Sequence, residues 1–290
     1  MIRKNSGLTY ALKYASKELR KGIGVSKREI YRQNNGRSPY IHSWSTFNRY
    51  MGIAKDFVKW CKERNINRLD KVKYNHIREY LEEKIAKGVS QKTLKVNQSA
   101  LEKFFSAVGR EDISHQIRSH YAEVYSKGRL PGQTVGFSNP QKVIEAIKDP
   151  VHRAMARLQY NTGARVGDLK KMKVEGSRVV IEKSKGGKTR SIDYSDRPQK
   201  FEQIKRDLKV VKEAIKQQGW KAVRESYPKS VKNACKKVGE VYGGPHNFRA
   251  NYVQERVKEL TPKVGYEQAL QIVEKEIGHN RVEMTKHYGG

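Results

Sequence analysis

Apolar residues recur at helical spacing along most of this chain, with one interruption in its second half. Leu8, Leu12, Ala15 and Leu19 form a weak stripe, and Asn34-Asn35-Gly36-Arg37-Ser38-Pro39 breaks it with turn-forming residues. From Ser45 the pattern sharpens. Phe47, Tyr50, Met51, Ala54, Phe57, Val58 and Cys61 fit one face of a helix, with Ser43 or Ser45 placed to cap it. Ile77, Tyr80, Leu81 and Ile85 predict a second helix, stopped by Gly88. Ser90 can cap a third, with Leu94, Leu101, Phe104, Phe105 and Val108 on one face and lysines opposite. Residues 126–133 are small, charged and Gly/Pro-containing, and predict a linker. Asn139-Pro140 opens a new helix, the Asn as cap and the Pro in the first turn. Another follows Pro150 and ends at Thr162-Gly163, and Val166, Leu169 and Met172 predict a short helix beside Arg165.

The interruption is a change of period from 3.6 to 2. Residues 178–183 and 189–194 alternate like strands on either side of Ser184-Lys185-Gly186-Gly187-Lys188. Paired glycines between such runs predict a hairpin, because a type I′ turn needs positive φ at both central positions. Helical patterns resume over about 199–218, 229–238, 246–259, 262–277 and 281–288. The expected fold is therefore mainly α, with a small antiparallel sheet in a C-terminal domain. The expected organisation is a basic N-terminal arm or flexible leader over 1–38, a helical domain over 39–126, a linker over 127–138 and a second domain over 139–290.

Charge narrows the partner. Lys and Arg total 61 against 30 Asp and Glu, a formal net charge of +31 over 290 residues. Residues 1–35 alone carry nine Lys or Arg and two Glu, a net +7. Self-repulsion on this scale disfavours a compact state unless a polyanion shares the charge. Nucleic acid is the first candidate, since each phosphate contact releases counterions; an anionic membrane surface and a merely solvated lysine face are the others. The two cysteines, Cys61 and Cys235, form neither a metal spacing nor a disulfide framework, and read as small core residues of a reduced, cytoplasmic protein. No secretory signal follows Met1, and no apolar run approaches a membrane span.

The candidate chemistry lies in six scattered residues: Arg165 in Gly163-Ala164-Arg165, Lys185 at the glycine turn, His246 and Arg249 in His246-Asn247-Phe248-Arg249, His279 after Gly278, and Tyr288. Cleaving a phosphodiester without a metal needs cationic donors for charge growing on the non-bridging oxygens, an in-line nucleophile and an acid for the leaving alkoxide. Arg is the best such donor because its fork binds two oxygens. Each residue also has a structural reading: Arg165 as a helix-end cation or partner of Asp168, His246 as a helix-start residue, His279 as a cap, Tyr288 as a terminal aromatic. Arg249, three residues after His246, shares its helix face. No carboxylate cluster suits Mg²⁺ and no Cys/His set suits zinc, so neither metal nor cofactor is expected.

These motifs resemble those of the tyrosine recombinases, the phage-integrase family. The stretch Tyr160-Asn161-Thr162-Gly163-Ala164-Arg165-Val166-Gly167-Asp168-Leu169 is similar to the family's first arginine motif, and His246-Asn247-Phe248-Arg249 to its His-x-x-Arg box. Lys185-Gly186-Gly187-Lys188-Thr189-Arg190 resembles the hairpin carrying its catalytic lysine, and Ile277-Gly278-His279 with Tyr288 resembles its terminal segment. The order fits across residues 140–290, while 40–125 resembles the family's core-binding domain by pattern. The resemblance implies that Arg165 and Arg249 clamp the scissile phosphate, that His246 and His279 hydrogen-bond it and assist proton transfer, that Lys185 protonates the leaving 5′-oxygen, and that Tyr288 attacks to give a 3′-phosphotyrosyl link. It implies double-stranded DNA as partner, a homotetramer on two DNA sites, and strand exchange without metal or ATP.

Some choices stay open. Lys183, on the same strand face as Lys185, and Lys188, across the turn, are alternative acids. Asp168 reads as support for Arg165 and His287 as accessory. The box departs from the family at Phe248 and Ala250-Asn251-Tyr252, a matter of packing more than charge. Residues 261–266 read as an extra loop. Family members commonly extend past the tyrosine and dock that tail on a neighbour, whereas this sequence has two residues after Tyr288. A type IB topoisomerase would use the same residue set, and a non-catalytic DNA-binding protein could keep the fold.

Overall fold

The computed structural model describes residues 2–3, 5–34, 36–130, 135–184 and 187–278. The chain forms two compact units, Met1–Gly132 and Gln133–Gly290.

The first unit is helical: α1 (Leu8–Leu19), α2 (Lys27–Gln33), α3 (Trp44–Lys62), α4 (Tyr74–Ala86), α5 (Gln91–Ala107), α6 (Glu111–Ser119) and α7 (Tyr121–Ser126). Ser43 caps α3 by accepting from the Thr46 amide at 3.2 Å, and Ser90 caps α5 by accepting from Thr93 at 3.3 Å. The stripes meet in one core, where Phe57, Tyr80, Leu81, Leu94, Leu101, Phe104 and Phe105 are all buried. Leu8, Ala11, Ala15 and Leu19 of α1 belong to that same core. The stretch expected as an arm thus carries a helix whose apolar face is built into the unit, with its lysines left outside. Arg110 fastens the 69–72 segment from below, donating to the carbonyls of Leu69 at 2.5 Å and Val72 at 3.1 Å and to Asp112 at 2.8 Å.

The second unit contains α8 (Pro140–Ala146), α9 (Pro150–Thr162), a 3-10 turn over Val166–Lys171, the strands β1 (Met172–Glu175), β2 (Arg178–Ile181) and β3 (Arg190–Asp193), then α10 (Pro198–Glu225), α11 (Tyr227–Val238), α12 (Asn247–Val264) and α13 (Tyr266–Ile277). The sheet is antiparallel in the order β1-β2-β3, with Val174 opposite Val179 and Ile181 opposite Arg190. Asn139 and Asp149 cap α8 and α9, each followed by a proline in the first turn. α9 is the central element of the core, burying Ala154, Met155 and Leu158.

Four local expectations change. Met172 belongs to β1, not to a helix, because the spacing of Val166 and Leu169 is satisfied by a 3-10 turn that ends one residue earlier. The β2–β3 ladder ends at Ile181 opposite Arg190, earlier than the expected strands over 178–183 and 189–194. Lys183 has φ +42°, so the strand alternation that would align it with Lys185 stops at Ile181. α10 runs on past 218 to Glu225 through a kink at Gly219, whose φ of +78° is non-helical. Finally, 261–266 is no loop. α12 continues through Pro262 to Val264, forgoing the one amide bond the proline cannot make, and Gly265 alone makes the turn into α13.

Candidate functional site

The site is assembled where α9 ends. Gly163 closes that helix in the left-handed region at φ +59°, and a Cβ there would lie 2.5 Å from Cδ1 of Tyr252 and 2.9 Å from Cγ2 of Ile277. Glycine is required twice over, by backbone sign and by space. The loop that follows is fixed from several sides. Gln159 donates to the Ala164 carbonyl at 3.1 Å and is itself held by the Tyr227 hydroxyl at 2.8 Å. Tyr194 donates to the Asn161 carbonyl at 2.6 Å. Arg165 therefore leaves a rigid base, with its side chain partly exposed.

Around Arg165 lies a charged cluster. The Asp168 carboxylate accepts from the Ser184 hydroxyl at 2.9 Å, and the same oxygen lies 3.7 Å from Nη1 of Arg165 and 3.5 Å from Nη2 of Arg190. Ser184 also meets Arg165 at 3.3 Å. Arg190, the first residue of β3, has a side chain only 5% exposed. Burial, and then the nearby charge of Arg165, press its pKa below the ordinary guanidinium value, with Asp168 opposing them. A guanidinium does not lose its proton in a protein, so the direction marks a cation kept under strain of desolvation.

Arg249 approaches from the first turn of α12 and is fully buried. It donates to the Gly163 carbonyl and, at 2.8 Å, to the Ile277 carbonyl. Arg190 donates to the adjacent carbonyl of Glu276. Two arginines from different elements thus hold consecutive carbonyls at the end of α13. Gly278 ends that helix at φ +65°, and a Cβ there would stand 3.1 Å from Cδ of Arg190. The Glu276 side chain accepts from the Tyr252 hydroxyl at 2.7 Å and pairs with Arg256 at 3.2 Å. Burial first, and then nearby acidic groups, push the Tyr252 phenol well above its ordinary pKa. Asn251 makes a pair of bonds to the main chain of Phe137, accepting at 2.9 Å and donating at 2.8 Å. The residues that depart from the family pattern in sequence, Asn251 and Tyr252, therefore serve packing and main-chain pairing.

His246 is the N-cap of α12, half-buried, one turn before Arg249. Lys183 and Lys188 are exposed on the β2–β3 connection, and the Ser184 amide donates to the Lys188 carbonyl at 2.8 Å. An open recess of about 330 Å³ is bounded by Ser184, Lys188, Arg190, Ser191, Lys275 and Gly278. Lys185, His279, His287 and Tyr288 lie outside the described residues. The structure thus brings Arg165, Asp168, the hairpin base and the end of α13 together. Ser184, Arg190 and Glu276 carry no recognisable signal alone; Arg190 falls within the hairpin motif but reads as an ordinary strand residue. Among the described residues no group of three His, Cys, Asp or Glu side chains could hold a metal ion, and no helix is long and apolar enough to cross a membrane.

Residues 41–112 match the family described as phage integrase, N-terminal SAM-like domain. The fold of the whole chain is similar to that of a lambda integrase tetramer bound to a Holliday junction, with TM-score 0.60, 16% identity, and coverage of 99% of this chain and 78% of that one. A lambda integrase dimer bound to a COC′ core site gives TM-score 0.63 and 17% identity, with the same coverage. A second such dimer, of lambda integrase residues 75–356, gives 0.56 and 16%, covering 98% of this chain and 96% of that one. No curated protein sequence matches the chain.

Proposed function

On a chain with the tyrosine-recombinase fold, carrying the phage-integrase SAM-like domain over residues 41–112, we propose a site-specific recombinase that cleaves and rejoins duplex DNA through a phosphotyrosyl intermediate. The observation that carries this reading is the meeting of Arg165, the base of the β2–β3 connection and the end of α13 at one place, with Arg249 bridging α9 to α13. His279 follows Gly278 directly in sequence, and Tyr288 follows nine residues later.

In the proposed reaction the Tyr288 phenolic oxygen attacks the scissile phosphorus and the bond to the 5′-oxygen breaks. Lys185 gives that oxygen its proton, leaving a free 5′-hydroxyl and a 3′-phosphotyrosyl ester. His246 and His279 accept and return the phenolic proton and hydrogen-bond the non-bridging oxygens. Arg165 meets the charge that grows on those oxygens. Arg249 joins it by exchanging a carbonyl for a phosphate oxygen once DNA is bound. Attack by another 5′-hydroxyl reverses the sequence on a new strand, so the ester energy is conserved. The net charge of +31 supports duplex DNA as partner. The integrase tetramer and dimers of similar fold support assembly of this chain as a homotetramer on two DNA sites. A DNA-associated, cytoplasmic protein is the matching setting.

The test is a covalent adduct. Wild type and Tyr288→Phe are incubated with a pool of nicked duplexes of randomised core, and the products are separated under denaturing conditions. An adduct with wild type alone is expected, and sequencing the trapped duplexes then gives the site. Equal signals from both proteins would refute the reading. Rapid relaxation of supercoiled plasmid lacking that site would point to a topoisomerase.

A further inference from the structure

Asp168 faces two arginines, and the charge count around it is uneven. One carboxylate oxygen stands 3.7 Å from Arg165 and 3.5 Å from Arg190, while the side chains of Asp168 and Arg190 are 6% and 5% exposed. Arg165 is the outer member, with its side chain 24% exposed. With Asp168 alone, the carboxylate would neutralise Arg165. With Arg190 present, the three groups sum to one positive charge, and the part of it that reaches solvent is on Arg165.

We infer that Arg190 is a positioning residue for the reaction, sharing the Asp168 carboxylate from the buried side so that Arg165 stays a net cation toward a phosphodiester. The contacts of Arg190 fit that task better than a simple tie between β3 and α13. One guanidinium nitrogen holds the Glu276 carbonyl, Nη2 faces the Asp168 carboxylate at 3.5 Å, too long for a strong hydrogen bond, and Nε is buried with no hydrogen-bond acceptor among the described residues. A side chain kept solely for hydrogen bonding would not leave Nε unmet and Nη2 at ion-pair range, since unmet donors cost free energy in a dry interior. A charge counterpoise needs proximity and no acceptor geometry. The depression of its pKa by burial, opposed by Asp168, points the same way. Gly278 makes the arrangement possible, because a side chain there would press on the Arg190 stem.

The inference rests on the phosphodiester reading for the identity of the anion, and its test needs no DNA. Inorganic phosphate is titrated while the Nε–H resonance of Arg165 is followed by NMR in wild type, Arg190→Gln, Asp168→Asn and the double variant. Arg190→Gln is expected to weaken phosphate about tenfold, the scale of one unit charge acting over several ångströms near a protein surface. The double variant, which removes both charges, is expected to return to within about threefold of wild type. Should Arg190→Gln not fold, Asp168→Asn still decides, because relieving Arg165 of the carboxylate should leave phosphate binding at least as tight as in wild type. A double variant no better than Arg190→Gln, or an Asp168→Asn variant that binds phosphate more weakly, overturns the inference. If the affinities follow the expected order while no DNA adduct forms, the recombinase reading fails and the charge balance that Arg190 sets at Asp168 toward an anion stands.

Discussion

Arg249 gives one of its guanidinium protons to the main-chain oxygen of Ile277 at 2.8 Å, and another to that of Gly163. A side chain assigned to bind phosphate is, in the DNA-free chain, the bolt between the ends of α9 and α13. Arg249→Ala should therefore lose stability as well as cleavage. Two buried carbonyls would lose their donor, at about 1–3 kcal/mol each, so a loss of about 2–4 kcal/mol is expected in urea unfolding. Arg165→Ala, on a partly exposed side chain, should lose cleavage with little change in the urea midpoint and most DNA binding kept. Equal stability loss in the two variants would contradict this division.

Gly163→Ala tests the packing that sets the arginine loop. The new Cβ meets the Tyr252 ring at 2.5 Å in a backbone region that L-residues avoid. A cost of at least about 2 kcal/mol is expected. Tyr252→Phe, which keeps the ring and loses the hydroxyl bonded to Glu276, should cost about 1 kcal/mol. Thermal unfolding of the pair would show which matters more, ring position or hydroxyl.

Part of this architecture is legible in the order of the amino acids alone. The helical stripes of the first unit read correctly because one apolar face per helix is buried in a single core, and Ser43, Ser90 and Asn139 announce their helices by capping chemistry. Arg165 is legible through Gly163, since a glycine at a helix end implies a forced turn. Arg190 is not, because its partners Asp168 and Glu276 lie 22 and 86 residues away in sequence and no local pattern predicts them. β1 is hidden for another reason: Val166, Leu169 and Met172 at intervals of three suit an α-helix and a 3-10 turn alike. Pro262 misleads by its usual meaning as a helix stop, because α12 forgoes one amide bond there and still runs on to Val264.

Both thiols should be silent in the folded chain. Burial pushes Cys61 up to about 12 and Cys235 up to about 11, and neither side chain is exposed. The thiolate is the reactive form, so a disulfide reagent at pH 8 should titrate no thiol in native buffer and two in denaturant. Rapid reaction of either in native buffer would show that its surroundings open.

Acid should weaken the Arg110–Asp112 contact beside the 69–72 segment. The Arg110 guanidinium, by hydrogen bonds first, holds the Asp112 carboxyl below its ordinary pKa, against a smaller effect of burial. A carboxylate with a depressed folded pKa contributes stability that is present above the unfolded value of about 3.9 and is lost as pH falls through the folded one. Asp112→Asn should therefore be less stable than wild type at pH 6, by no more than about 1 kcal/mol for so exposed a carboxylate. The difference should shrink as the pH falls below the unfolded value of about 3.9 and on through the lower folded one. A gap that persists there would mean the contact is not ionic.

Binding to duplex DNA should fall steeply with salt. If six to ten phosphates are contacted, affinity should drop roughly 10³- to 10⁵-fold between 50 and 200 mM salt. A shallow dependence in fluorescence anisotropy would mean that the net +31 is mostly solvated surface.

The meeting of α9 and α13 at Arg249 has an electrostatic consequence. Both helices arrive there by their carboxyl ends, each carrying about half an elementary negative charge from its aligned peptide dipoles. The amino end of α12, from which Arg249 springs, offsets only part of that charge, and the guanidinium supplies the rest. Removing Arg249 therefore does more than delete a donor: it leaves the two carboxyl ends with less positive charge against them. A small free cation such as guanidinium should be drawn into the corner of an Arg249→Ala chain and restore part of what the substitution took away.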